Sequence, residues 1–308
     1  MHEITDPTRL PEGFPGSAVA IGKFDGLHLG HRQLLHELVE YCEESALGSI
    51  AITFDKNPKA LFDPQNCPAE IVGPKQKSEL VESVGVDVLI TLEFNQSLAS
   101  LSPKEFIERY IAPLGAQMVF VGEDFTFGAK GLGTIADLRN FGPEFGFRAR
   151  EIPNVLVGDS RISSTQIRKL LESGNVSAAA LLLGRNHVVR GEVEHGRKLG
   201  RTLGFPTANL SRDSEGLLPA DGIYAGYLTA EGVRYPAAHS VGTNDSVGEV
   251  PRLLESHVIG RDDLDLYGQI VECEFVDQVR GWQKFDSLEA LVEQIGKDVA
   301  QASKILGE

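Results

Sequence analysis

The chain is poor in cysteine, has no long apolar run and carries no excess of positive charge. Each shortage argues against a class of protein. Its three cysteines, Cys42, Cys67 and Cys273, are odd in number and widely spaced. They form neither a disulfide framework nor a metal-ligand spacing, which fits a reducing compartment. No apolar run approaches the ~20 residues that a membrane-spanning helix needs. The opening MHEITDPTRLPEGFPG is polar and turn-rich, unlike a secretion signal. Lys and Arg number 29 against 44 Asp and Glu, a formal charge of -15. A phosphate backbone needs a basic footprint, so this balance argues against non-specific nucleic-acid binding. Repeats and low-complexity tracts are absent as well. A cytoplasmic protein with no nucleic-acid or membrane partner is expected, and a homo-oligomer is left open.

What is present is ordinary for a globular chain, 42% hydrophobic and 24% charged. The 308 residues suit two domains better than one. Up to about residue 150, β-rich apolar runs near 18–22, 49–54, 86–94, 117–125 and 147–153 alternate with helical patterns. The helices are expected near 31–45, 75–85, 103–114 and 134–142. Such alternation implies a parallel, Rossmann-like sheet with helices on both faces. Ligands of such sheets lie beyond the carboxyl ends of the strands. Two short helices near 163–174 and 176–185 follow. After Arg185 the pattern becomes short β-rich segments with frequent turns, as in an antiparallel barrel or sandwich. A last helix near 286–306 places Leu288, Leu291, Val292, Ile295 and Val299 on one face, expected to pack on that barrel. The predicted domains are 1–185 and 186–308.

The richest stretch is AVAIGKFDGLHLGH, residues 18–31. His28 and His31 fall in a strand-to-helix turn, with Gly30 opening the helix. Free backbone N–H groups and the helix dipole attract anions there. Gly22 and Gly26 let the backbone bend and a phosphate approach. Two imidazoles in such a nest suit charge developing on a phosphorus under attack. About 130 residues later stands RISSTQIR, 161–168. Ser163 or Ser164 suits an N-cap and Thr165 the first turn, while Arg161 and Arg168 supply charge for outer phosphates. The bland alternative is a cap and a solvated helix face.

The second half carries GRKLGRTLGFPTANL, residues 196–210. Gly196, Gly200 and Gly204 with Arg197, Lys198 and Arg201 suit a phosphate cover, although the P-loop pattern is missing. Pro206 fixes the backbone, and Thr207 and Asn209 then offer oxygens on one side of an extended segment, suited to Mg²⁺. Phosphoryl transfer to an alcohol needs a carboxylate to accept the hydroxyl proton. Glu255, in RLLESHVIG at 252–260, is the candidate; an exposed edge-strand glutamate is the competing reading.

H-x-G-H with a downstream I-S-S-T-x-x-R resembles the nucleotidyltransferase superfamily. With VGEDFTFG at 121–128, the first half resembles the adenylyltransferase half of bacterial bifunctional riboflavin kinase/FMN adenylyltransferases (FAD synthetases). The second half resembles their riboflavin kinase domain through G-R-x-L-G-F-P-T-A-N-L, DGIYAG (221–226), SVGTN (240–244), L-E-S-H (254–257), YG (267–268) and KF (284–285). The resemblance spans nearly the whole chain and implies a nucleotidyltransferase-like sheet followed by a six-stranded barrel with a terminal helix. It implies that His28 and His31 stabilise the α-phosphate. Gly22, Phe24, Asp25 and Gly30 would line the ATP site, with Arg161, Ser164, Thr165 and Arg168 on the outer phosphates. Asn57, Asp124 and Phe125 would lie at the FMN pocket.

In the kinase half the resemblance implies that Gly196, Lys198, Gly200, Gly204, Pro206, Thr207 and Asn209 bind ATP. Thr207 and Asn209 would hold Mg²⁺, and Glu255 would be the base on the ribityl 5′-hydroxyl. ATP is the implied co-substrate, with riboflavin, FMN and FAD as substrates and products. Two stretches depart from the family pattern. FDKNP at 54–58 stands where F-D-P-H-P is usual, and DSVGEVP at 245–251 lacks the usual proline and aromatic. The second departure motivates an alternative, an adenylyltransferase with a weak or inactive kinase module. A non-catalytic flavin or nucleotide sensor is the alternative of another class.

Overall fold

A computed structural model describes residues 1–158, 160–195, 203–243 and 252–308. They form two compact units, Met1–Glu70 with Pro74–Ser163, and Ile71–Gly73 with Ser164–Glu308.

In the first unit six strands pair in the order β1-β4-β3-β2-β5-β6, every pair parallel. They are β1 (His2–Ile4), β2 (Ser17–Ile21), β3 (Gly48–Phe54), β4 (Val88–Leu92), β5 (Ala116–Gly122) and β6 (Arg148–Ile152). β1 is too short and polar to show in the sequence; it adds an edge to β4 through His2–Ile4 opposite Val88–Ile90. Along β2 the pleat sends Val19 and Ile21 to one face and Ala18 and Ala20 to the other, and both faces are buried. That is why this strand is apolar throughout rather than alternating.

Helices α1 (Leu29–Ser45) and α3 (Pro74–Glu82) cover one face, through Leu34, Leu35, Leu38 and Val81. Between them lies the short α2 (Lys59–Phe62). The other face is covered by α4 (Gln96–Ala99), α5 (Pro103–Phe106) and α6 (Ile135–Phe145), through Leu98, Phe106 and Leu138. The single helix expected over 103–114 is instead α5, a π-turn over Ile107–Ile111 and a 3₁₀ turn over Ala112–Leu114. Pro113 near the end has no N–H to donate, and Gly115 closes the segment at φ +61°. A two-stranded ribbon, β7 (Leu156–Val157) and β8 (Ser160–Arg161), follows β6.

The second unit begins with α7 (Ser164–Glu172) and α8 (Val176–Leu183). It continues as a closed antiparallel barrel in the order β10-β13-β12-β11-β14-β9. Its strands are β9 (His187–Glu194), β10 (Ala208–Leu210), β11 (Gly222–Ala230), β12 (Val233–Gly242), β13 (Leu253–Val258) and β14 (Ile270–Gly281). α9 (Leu288–Leu306) packs on β11, β12 and β14. Of its expected face, Leu291, Val292, Ile295 and Val299 are half-buried, Val299 packing against the barrel, and only Leu288 is exposed, at 57%. Asp298 and Ala302 are the fully buried positions. Asp298 draws the helix inward because it binds Arg280 of β14 at 2.7–3.0 Å, with Gln294 donating to the same carboxylate.

The barrel interior is partly polar. Phe275 is ringed by His187, His239 and Tyr224, with centroids 5.1–6.1 Å away. His239 bridges Ser256 Oγ at 2.9 Å and the Glu274 carbonyl at 3.1 Å, and His187 Nε2 lies 2.7 Å from the Leu217 carbonyl. Gly226 leaves room for the His239 ring: a Cβ there would meet the Glu274 carbonyl oxygen and lie 2.6 Å from His239 Nε2. Gly226→Ala should therefore cost about 2 kcal/mol or more through overpacking. An unchanged denaturation midpoint would contradict this packing.

Burial pushes His187 and His239 down to about 4. The unfolded chain takes up these protons near pH 6.5, so this stability is complete above about 6.5 and lost as pH falls toward 4. Acidification from pH 7 to 5 should cost about 2 kcal/mol per histidine. Denaturant unfolding followed through the single tryptophan, Trp282, measures it. His239→Gln should flatten the dependence, and a midpoint independent of pH would refute it.

Candidate active sites

In the first unit, the chain runs from β2 to β3 to β4 in one direction and then crosses to β5 on the other side of β2. The carboxyl end of β2 is therefore the switch point, where departing loops diverge and leave a crevice. Residues 22–28 fill the turn there. Gly22 N–H donates to the Ile52 carbonyl at 3.0 Å, and the Thr53 hydroxyl donates to the Lys23 carbonyl at 3.1 Å. The turn is sharp: Phe24, Gly26 and Leu27 all take left-handed φ values, +48°, +80° and +37°. Only Gly26 adopts such a value without steric cost. The buried Phe24 and Leu27 side chains hold the other two in place. Phe24 thus gives its ring to the core, edge-on to His31 at 5.6 Å, and any ligand contact from it would come through its backbone.

His28 is the N-cap of α1: its Nδ1 accepts from the His31 N–H at 3.3 Å. An accepting Nδ1 leaves the proton of a neutral ring on Nε2, so the cap sets the tautomer. The two imidazoles stack with centroids 3.6 Å apart and planes 15° apart. Gly30 makes this possible, since a Cβ there would press to 3.3 Å from the His28 ring. His31 Nδ1 is buried without a hydrogen-bond partner. Burial holds the His31 imidazole well below its ordinary value, and positive charge at His28 and Lys77 lowers it further. Asp25 is buried in the same turn.

Across the switch point, the loop after β5 carries Asp124 and Phe125. Phe125 stacks on Phe127 at 5.6 Å, and Asp124 forms an ion pair with Arg161 of β8. The structure thus joins a residue expected at the flavin with one expected at the ATP phosphates. Asn57 is half-buried, and its Oδ1 accepts from the Lys59 N–H at 3.0 Å ahead of α2. Ser164 and Thr165 lie in the first turn of α7, and Arg168 is buried on that helix. Sequence reasoning missed Thr53 and Lys77. Both sit in segments whose polar residues look like ordinary strand or helix decoration.

In the second unit, burial alternates along β13: Leu254, Ser256 and Val258 face the interior, and Glu255 and His257 the other side. β10 repeats this, with Ala208 and Leu210 inward, and Asn209 lies directly opposite Glu255. β13 is paired on both sides, by β10 and β12, so Glu255 is not an edge-strand residue. The Thr207 hydroxyl donates to Glu255 Oε2 at 3.1 Å, and Asn209 Nδ2 lies 3.4 Å from Thr207 Oγ1. His257 Nδ1, 2.9 Å from the Pro206 carbonyl, fixes the segment leading into Thr207. Thr207 and Asn209 border an open cleft with about 660 Å³ of atom-free space, also lined by Pro206, Arg261, Asp262 and Tyr267. Gly204 has φ +84°. Gly196, Lys198, Gly200 and the 245–251 stretch lie outside the described residues.

A doubly wound sheet with paired imidazoles at its switch point, followed by a barrel with a Thr–Asn–Glu oxygen cluster beside a cleft, is the architecture of a two-module nucleotide-dependent transferase. Residues 11–166 match the FAD synthetase family and residues 183–306 the riboflavin kinase family. A bifunctional riboflavin kinase/FMN adenylyltransferase of Bacillus subtilis is 33% identical over 305 residues, 97% of this chain and 96% of the relative. That of Escherichia coli is 33% identical over 294 residues, 95% and 93% of the two chains. A solved structure from Streptococcus pneumoniae, described as a macrolide-efflux protein, superposes with a TM-score of 0.86 at 32% identity over 96% of both chains. No helix among the described residues of the present chain is long and apolar enough to cross a membrane. The chain belongs to the bifunctional riboflavin kinase/FMN adenylyltransferase family.

The desolvated His31 provides a direct check on the first site. In ligand-free protein its ring-proton resonance should stay unshifted as pH falls from about 7.5 to 6, because the neutral form persists below the ordinary imidazole range. Titration near the ordinary value would contradict its burial.

Proposed function

We propose that the chain phosphorylates riboflavin to FMN in its second half, and adenylylates FMN to FAD with release of pyrophosphate in its first. We assign residues 1–185 to the adenylyltransferase and 186–308 to the kinase, with ATP, riboflavin and FMN as small-molecule partners in the cytoplasm. The observation that supports the reading is one polar cluster in each half, suited to handling phosphoryl groups: stacked His28 and His31, and hydrogen-bonded Thr207, Asn209 and Glu255.

In adenylyl transfer a phosphate oxygen of FMN attacks the α-phosphorus of ATP, and the bond to the β-phosphate oxygen breaks. Negative charge grows on the α-phosphate oxygens and on the leaving pyrophosphate. The capped His28 offers its Nε2–H to that charge, and neutral His31 is a donor from a water-poor position. Backbone N–H groups of the Gly22–Gly30 turn and the start of α1 add fixed dipoles. Ser164, Thr165, Arg161 and Arg168 hold the outer phosphates, so Arg161 exchanges its Asp124 partner for the nucleotide. Gly22, Phe24 and Asp25 line the ATP, and Asn57, Asp124 and Phe125 the FMN.

In the kinase half Glu255 accepts the proton of the ribityl 5′-hydroxyl as that oxygen attacks the γ-phosphorus and ADP leaves. Thr207 orients the carboxylate through its 3.1 Å hydrogen bond. The clustered hydroxyl, amide and carboxylate oxygens are the hard donors that Mg²⁺ prefers. Thr207 Oγ1 can donate to Glu255 and still offer a lone pair to the cation. Thr207 and Asn209 would hold Mg²⁺, whose contribution is to neutralise the phosphate oxygens.

Incubation with riboflavin and, separately, with FMN, each with Mg²⁺ and ATP, tests both halves. His28→Ala or His31→Ala should lower FAD formation by ~10²-fold or more and spare FMN formation. Glu255→Gln should abolish FMN formation while FMN is still adenylylated. Equal loss of both reactions in either variant would contradict two separate sites, and a wild-type protein that forms no FMN would restrict the chain to adenylyl transfer.

A further inference from the structure

A lysine in α3 has a buried stem and an ammonium with no hydrogen-bond or ion-pair partner among the described residues. Lys77 is only 6% exposed, although lysine is almost never that deeply buried unless paired. It makes no hydrogen bond or ion pair with any described residue. Its Nζ is not one of the buried polar atoms that lack a partner, so the stem is covered while the ammonium still reaches solvent, where an arriving anion can meet it.

Topology shows where that anion would be. α1 links β2 to β3 and α3 lies between β3 and β4, strands that succeed one another in the same direction across the sheet. Right-handed crossovers place both helices on one face, with their first turns over the carboxyl edge of neighbouring strands. The packing agrees, since Leu35 of α1 and Val81 of α3 lie in one apolar cluster. His31 stands one turn before Leu35, and Lys77 one turn before Val81. Residues four apart share a helix face, so the two side chains are brought to the same edge. The positive charge of Lys77 reaches the His31 imidazole and disfavours its protonation.

We propose that Lys77 is a further phosphate-binding residue of the adenylyl-transfer site, placed so that its ammonium meets an oxyanion of the ATP triphosphate beside His31. The proposal rests on the reading of the first unit as an adenylyltransferase. Lysine suits the role as a compact point charge on a flexible stem, able to follow charge as it moves from the α-phosphate to the leaving pyrophosphate. It also accounts for a neutral His31. With a cation already at the edge, the imidazole contributes a hydrogen bond rather than a second charge.

The competing role is packing, in which the four-carbon stem fills space beside α1. Lys77→Met separates the two because it keeps the stem and removes the charge. In full-length protein, kcat/KM for ATP in FAD formation from FMN should fall at least ~10-fold in this variant. Lys77→Arg should restore part of it, and riboflavin phosphorylation should remain at the wild-type rate. The acid limb of the pH profile for FAD formation should move to higher pH, since His31 loses a repelling neighbour. Thermal stability should hold, because methionine keeps the buried stem and only the solvent-reaching charge is removed. The proposal is overturned if Lys77→Met keeps kcat/KM within about twofold of wild type. It is equally overturned if both reactions fall together with the melting temperature. Should wild-type protein form no FAD from FMN and ATP, the adenylyltransferase reading itself fails, and the two failures are thereby told apart.

Discussion

Parallel pairing of β2 between β3 and β5 is the constraint from which the first site follows. Parallel strands send every strand-to-helix turn to one edge, and the reversal of winding at β2 leaves the turn after that strand beside an open crevice. The backbone there has no room to relax. Its carbonyl at Lys23 is tied to Thr53, and its Phe24 and Leu27 side chains are sunk in the core. His28 can then serve two purposes with one ring. Its Nδ1 closes the first turn of α1, and the proton of its neutral ring is thereby set on Nε2. The stacked His31 is kept neutral by the same burial that positions it.

The barrel obeys a different rule. Closure removes free strand edges, and alternation then sorts each strand into an inward and an outward set. The inward set is not wholly apolar: His187, His239, Ser256 and Tyr224 lie among Val189, Leu228 and Phe275. Their hydrogen bonds make the interior specific to one register and sensitive to acid. The outward set on β10 and β13 brings Asn209 opposite Glu255, with Thr207 completing the cluster. A one-residue slip between these strands would turn the carboxylate into the interior. Register in the barrel is therefore a condition of chemistry as much as of stability.

Much of this could be read in the sequence because the signals are periodic. The apolar runs near 18–22 and 49–54 are β2 and β3, and the apolar neighbours Leu253, Leu254 and Val258 pointed to a largely buried strand from which Glu255 projects. The H-x-G-H spacing likewise fixed both imidazoles in the first turn of a helix, where they now stack. Features that depend on distant partners could not be read. The short β1 exists only because β4 offers a free edge. That a charged residue, Asp298, would be a fully buried position of α9 could not be read, because it depends on Arg280 lying beneath it. Lys77 looks like one more charge on an amphipathic helix. Only the shared face of α1 and α3 reveals that it is buried beside His31.

The central claim is that each half of the chain cleaves ATP at a different phosphorus. Isotopic labelling tests it most directly, by supplying riboflavin with ATP labelled at either the α- or the γ-phosphate and analysing the flavin products. The γ-label should appear in FMN and persist as the flavin-side phosphate of FAD. The α-label should be absent from FMN and enter FAD only on the adenylyl side. Finding the α-label in FMN, or the γ-label solely in released inorganic phosphate, would contradict the account.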